Sequence, residues 1–204
     1  MPTSTFINLP TEKKDKIINA AINEFSSVSF DKASINKIIK EAGISRGSFY
    51  MYFEDIYDLT LYLLTQMKMQ IMFELRQKYH GTNVQLDEMI ISFHDVVYDY
   101  YANETYRNFF RNVIVYFQGR PEDEIKAMQG QGAGRPEFGF FKDRLDPIQF
   151  KQNDDEFITE VIELGMMVFR NVMFQTFIMS LDKEESSQLL QKGLNIIKHG
   201  YGRM

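Results

Sequence analysis

Residues 33–53 read ASINKIIKEAGISRGSFYMYF. Ile35, Ile38, Ile39 and Ala42 recur at helical spacing, and Gly43 then breaks the run. A glycine there marks a helix C-cap with positive φ, because a residue without Cβ enters the left-handed region at little cost. Ile44 turns back to the core. Ser45 is a good N-cap for a second short helix over residues 46–51, its hydroxyl accepting from a first-turn amide. Gly47 costs so short a helix about 1 kcal/mol of propensity. Either a close approach to a partner's backbone or close packing between helices would explain it. Two short helices joined by a tight turn, the second small and exposed, have the form of a helix-turn-helix DNA reader. An ordinary helical hairpin inside a core is the plainer alternative.

Outward from this stretch, the chain reads as helices throughout. Thr11 follows Pro10 as a helix start, and Ile18, Ala21, Ile22 and Phe25 give that helix one apolar face. Residues 1–10 read as a loose arm. Glu54 and Asp55 suit the first turn of a long helix that runs to about Lys78, carries Ile56, Leu59 and Leu63, and stops at His80-Gly81. Further helices are expected over 86–101, 104–117, 154–179 and 183–198, with a short one over 122–129. The Gly-rich GQGAGRPEFGF at 130–140 reads as a flexible connection or lid. It lacks the Lys-Ser/Thr of a phosphate-binding loop. The expected fold is all-α, with about nine helices. A three-helix reader occupies 1–53 and a helical body 54–204.

Composition narrows the function. Apolar residues are 44% of the 204, enough for a sizeable core, so disorder is not expected. The net charge of -5 argues against a purely electrostatic nucleic-acid binder, but a specific reader needs only local charge. Between Thr11 and Tyr50 stand seven basic residues (Lys13, Lys14, Lys16, Lys32, Lys37, Lys40, Arg46) against five acidic ones (Glu12, Asp15, Glu24, Asp31, Glu41). That thin excess leaves geometry and dimer symmetry to supply specificity. The absence of cysteine excludes disulfides, thiolate catalysis and Cys-based zinc sites. No secretory signal and no membrane span are expected, and the expected location is cytoplasmic. No Ser-His-Asp or paired-carboxylate arrangement stands out, so no enzyme is expected. His80, His94 and His199 are widely spaced, so neither metal nor cofactor is expected; His94 reads as a hydrogen-bonded histidine.

Residues 11–59 resemble the N-terminal domain of the TetR family of bacterial transcriptional repressors. Ser34, Ile35, Ile38, Ala42-Gly43-Ile44-Ser45, Gly47-Ser48-Phe49-Tyr50 and Tyr52-Phe53 carry the resemblance. The lysine usual three residues after the Tyr-Phe pair is replaced by Ile56. The resemblance implies that Ser34 holds a phosphate and that Ser45, Arg46, Gly47 and Ser48 meet the major groove. Arg46 is the best base reader, since a guanidinium forks onto guanine O6 and N7. Tyr50 and Tyr52 reach phosphates or bases, with interdomain packing the alternative for Tyr52; Lys37 adds a backbone contact or is a solvated surface charge, and Phe49 and Phe53 are core.

The resemblance further implies a homodimer through residues 154–179 and 183–198, set to read a palindromic operator in double-stranded DNA. Its two readers would stand about 34–36 Å apart, one helical turn. The body is rich in aromatic residues and methionine. Phe93, His94, Tyr98, Tyr106, Phe109, Phe110, Phe117, Met166, Phe169 and Met173 are candidates to line a pocket for a small apolar or aromatic effector. A ligand-responsive repressor is the expected function. The alternative is a constitutive DNA-binding module or activator whose body binds a protein partner.

Overall fold

The computed structural model describes residues 2–79, 83–102, 104–117 and 136–201. Among them lie ten α-helices: α1 Ser4–Ile7, α2 Thr11–Ser27, α3 Ile35–Ala42, α4 Arg46–Tyr52, α5 Ile56–Lys78, α6 Leu86–Tyr100, α7 Glu104–Phe117, α8 Pro136–Lys142, α9 Asp155–Met179 and α10 Lys183–Tyr201. Extended pairing among the described residues is limited to an isolated parallel bridge between Val84 and Leu145. The fold is all-α, as expected. The expected helix over 122–129, the glycines at 130, 132 and 134, and the His80-Gly81 stop lie outside the described residues. The chain packs as two compact units, Met1–Gln70 with Tyr101–Gly132 and Ile71–Tyr100 with Ala133–Met204.

The first unit is built on α2, which packs against α3 and α7. Serving two neighbours widens its apolar stripe. Ile17, Ala20, Ala21, Ile22 and Phe25 are buried, whereas Ile18, expected on the face, is only half-covered. The N-terminal arm is not loose. Thr3 caps α1 by accepting from the Phe6 N–H at 3.4 Å. Its own hydroxyl donates to Met51 O at 2.6 Å, and its N–H to Tyr52 O at 3.0 Å. Phe6 is fully buried against the rings of Phe53 and Tyr62, at 4.6 and 5.2 Å. A single aromatic side chain thus outweighs the polar residues around it.

From α7, Phe109 meets Phe25 edge-on at 5.9 Å, and Tyr116 lies 4.4 Å from Phe30 and shares a hydrogen bond with the Tyr57 hydroxyl. The Asn112 amide donates to the carbonyls of Phe25 and Val28, each at 2.9 Å, and so occupies acceptors that the end of α2 leaves over. At the start of α5, the Asp58 N–H donates to Asp55 Oδ1 at 2.8 Å and the Glu54 N–H to Asp58 Oδ2 at 3.1 Å.

In the second unit α9 packs against α6, α8 and α10. Asp154 caps α9 through the Phe157 N–H at 2.9 Å, and Asp182 with Glu185 forms a reciprocal box at the start of α10. Gly165 and Gly193 let these helices approach. A Cβ on Gly165 would lie 2.5 Å from Ile90 Cδ1, and one on Gly193 2.5 Å from Val168 Cγ1. The connection expected over 130–140 is corrected at its end: α8 forms there, with Phe140 and Phe141 buried. Burial of two aromatic rings overrides the helix-breaking tendency of Gly139.

Candidate nucleic-acid interface

The reading stretch folds from local signals. The N–H of Ser34 donates to the buried carboxylate of Glu24 at 3.0 Å, which fixes where α3 begins. Ile38 and Ala42 anchor α3 inward. Gly43 ends it at φ 68°, and the Ile44 N–H reaches back to Ile39 O at 3.0 Å. Ser45 then caps α4, accepting from the Ser48 N–H at 3.0 Å, and the two serine hydroxyls lie 2.9 Å apart. Phe49 and Tyr52 are buried and hold the short helix to the core, while its other face stays in solvent.

On that outer face stand Ser45, Arg46, Gly47 and Tyr50, all exposed, with Ser48 half-buried. Arg46 Nη1 donates to Asn36 Oδ1 on α3 at 3.1 Å, and Nη2 to the Tyr50 hydroxyl at 3.4 Å. Its guanidinium lies 5.7 Å from the centre of the Tyr50 ring, within cation–π range. The nearest neighbour of a Cβ added to Gly47 would be Ser45 Oγ, at an ordinary 3.9 Å. Close packing between helices therefore does not explain this glycine.

A cleft of about 280 Å³ opens beside these residues, lined by Ala33, Ser34, Ile35, Asn36, Arg46 and Ile56. Ser34 makes no side-chain capping bond to α3, so its hydroxyl is not engaged by the helix it precedes. Ile56, in place of a lysine, contributes a hydrocarbon wall there. Lys37 keeps 62% of its side chain exposed, but its Nζ lies 3.5 Å from Glu24.

Two findings depart from the sequence reading. Tyr52 is only 3% exposed, its ring 5.9 Å from Phe6 with Lys13 Nζ 5.8 Å away. It belongs to the core beneath the reader, because the N-terminal arm folds over it, and its hydroxyl has little surface to offer a phosphate. Asn36 was not foreseen. Its place in the first turn of α3, on the polar side shared with Lys37, was the available signal.

The candidate pocket residues divide between the two units. Phe109 and Phe110 are buried and Tyr106 half-buried in the first; the Phe117 side chain lies outside the described residues. In the second, Phe93 packs against Phe141 and Phe169, with ring centres 5.8 and 4.8 Å away. Met166 and Met173 are buried, and the Tyr98 hydroxyl donates to Leu181 O at 3.2 Å. His94 is fully buried. Its Nε2 lies 2.7 Å from Ser186 Oγ, which lies 2.6 Å from Thr176 Oγ1, which donates to Val172 O at 2.8 Å. Burial holds the imidazole pKa below its ordinary 6.5, while Asp95, 3.4 Å from Nδ1, pulls the other way. Among the described residues no group of three His, Asp or Glu side chains converges as a metal site.

Residues 17–63 match the family described as "Bacterial regulatory proteins, tetR family", and residues 85–201 match "Tetracyclin repressor-like, C-terminal domain". The chain is 35% identical over 69 residues to the "Uncharacterized HTH-type transcriptional regulator YvdT" of Bacillus subtilis, covering 34% of this chain and 36% of that protein. It is 32% identical over 95 residues to the regulator YwcC of the same organism, covering 44% and 43%. The chain thus spans less than half the length of these curated relatives. Two solved structures share the fold along nearly the whole chain. A TetR family transcriptional regulator from Chloroflexus aurantiacus has 22% identity and a TM-score of 0.57, with both chains covered at 100%. The fatty acid degradation regulator FadR from Bacillus halodurans has 15% identity and a TM-score of 0.68, with coverage of 95% and 98%.

Proposed function

The chain belongs to the TetR family, bacterial regulatory proteins that bind DNA and regulate transcription, and on that premise we propose that it is a ligand-responsive repressor. Residues 1–53 act as the reader and residues 54–204 as the effector and dimerisation domain. Two copies join through α9 and α10, where Leu164, Met167 and Ile196 are 50%, 56% and 76% exposed. The paired readers enter successive major grooves of a palindromic operator. Arg46 contacts base edges, Ser45, Gly47 and Ser48 lie against the groove, and Ser34, Lys37 and Tyr50 contact the backbone.

An apolar or aromatic effector held among the aromatic side chains of the body releases the DNA. It does so by favouring a state in which the readers stand at the wrong separation. Equal affinity for both states would change nothing, and a swing from 99:1 to 1:99 needs about 5.5 kcal/mol of differential binding. The α5 helix runs unbroken from Ile56 to Lys78 and is the element proposed to carry the shift.

The observation that carries the DNA-binding reading is Gly47: an exposed, helix-weakening glycine where a Cβ would meet nothing closer than an ordinary 3.9 Å contact. A bound backbone close to that surface accounts for it. The test is selection of bound duplexes from a random pool, followed by release with a panel of apolar aromatic compounds. A palindromic site, occupied by a particle of two subunits and released by some member of the panel, is the expected result. A chain that selects no sequence, or that has the mass of one subunit on a palindromic duplex, overturns it.

A further inference from the structure

The arginine expected to read bases is not a lone side chain. A guanidinium only donates hydrogen bonds, so the Asn36 atom 3.1 Å from Arg46 Nη1 is necessarily the amide oxygen. That fixes the amide: its oxygen is engaged by Arg46 and its NH2 is turned away as a donor, with no partner among the described residues. The Tyr50 hydroxyl and ring hold the guanidinium from the other side. All three residues are exposed, and Asn36 and Arg46 line the same cleft.

We propose that Asn36 and Arg46 form one donor-rich reading head, in which Asn36 is a specificity-determining residue that both orients the arginine fork and offers its own NH2 to the adjoining base. The inference rests on the DNA-binding reading above. Asparagine reads adenine by accepting from N6 and donating to N7 together. The bond from Arg46 takes one of the two lone pairs on the amide oxygen and sets the direction of the group, so what Asn36 presents freely is its NH2. The head therefore selects acceptor-rich edges: guanine, through O6 and N7, at the Arg46 position, and a neighbouring base that presents an acceptor. Cytosine, whose groove edge offers the N4 donor, is disfavoured at that neighbour.

Selection from a random pool with the full-length chain, Asn36→Ala and Asn36→Asp tests this, each variant first checked for helicity and melting. Asn36→Ala frees the arginine, and its preference for guanine is expected to fall about tenfold, while binding to random DNA changes little. Asn36→Asp keeps an acceptor for Arg46 but loses the NH2, so guanine is retained and the neighbouring preference moves towards cytosine. If the unaltered chain selects no site, the DNA-binding reading fails and this inference falls with it. If it selects a site that both variants select equally well, or if the variants lose affinity evenly on every sequence, the reading head is refuted while the function stands.

Discussion

A methyl group added to Gly47 in the reader and one added to Gly193 in the body would meet opposite surroundings. At Gly193 it would lie 2.5 Å from Val168, so α9 and α10 approach only because nothing is there. At Gly47 it would find its first neighbour at 3.9 Å, on a face already open to solvent. The body's helices are shaped by one another. On the proposed reading, the reader's outer face is instead kept bare for a DNA backbone, at a cost in helix propensity.

The comparison breaks first if the reader is not firmly seated. Phe6→Ala empties a fully buried site beneath α4 and is expected to cost about 3–5 kcal/mol, read from chemical denaturation. An unchanged midpoint would mean that the arm is loose after all. Next, Gly193→Ala is expected to lower stability by about 1–3 kcal/mol through overpacking. Gly165→Ala should cost less, since the Ile90 methyl it strikes is the end of a flexible side chain. Arg46→Ala should leave helicity intact and weaken the selected operator by about 1–3 kcal/mol. Equal losses on specific and random DNA would reduce Arg46 to a phosphate contact.

Gly47→Ala sharpens the contrast most directly. It should raise thermal stability, by about 0.5–1 kcal/mol, while weakening operator binding. A variant both more stable and equally tight on DNA would leave the glycine without a role. The smallest effect concerns His94. Its folded pKa lies below 6.5, so as pH falls the unfolded chain takes up the proton first. Stability is therefore full above about pH 6.5 and is lost as pH falls through that value towards the folded pKa. His94→Gln should flatten that slope in pH-dependent melts; identical slopes would assign it elsewhere.

The same contrast governs what could be read in advance. Signals that act within a few residues were legible: the left-handed Gly43, the cap at Ser45 and the span of α7. Features made by distant partners were not. Nothing near Tyr52 in the chain announces that Phe6 will cover it, and the Asn36–Arg46 bond depends on how α3 and α4 cross. α8 was hidden for a related reason, since local glycine content argued for a connection while the burial that stabilises a helix there comes from the rest of the unit. On the candidate interface, the exposed placement of Ser45, Arg46, Gly47 and Tyr50 followed from the spacing of Phe49 and Ala42. The aromatic residues of the body could be counted but not sorted, because helical periodicity does not tell a ring that fills a core from one that borders a cavity.

The Asn112 amide on the end of α2 has an evolutionary corollary. Its hydrogen bonds, with Phe109 and Tyr116, tie a segment more than seventy residues downstream into the same compact body as the reader. An exchange of readers between relatives that swapped only the first fifty-odd residues would leave the carbonyls that end α2, and the rings of Phe25 and Phe30, facing a foreign helix. Successful chimaeras should carry both stretches, so recombination within such genes is expected to favour paired crossovers over single ones.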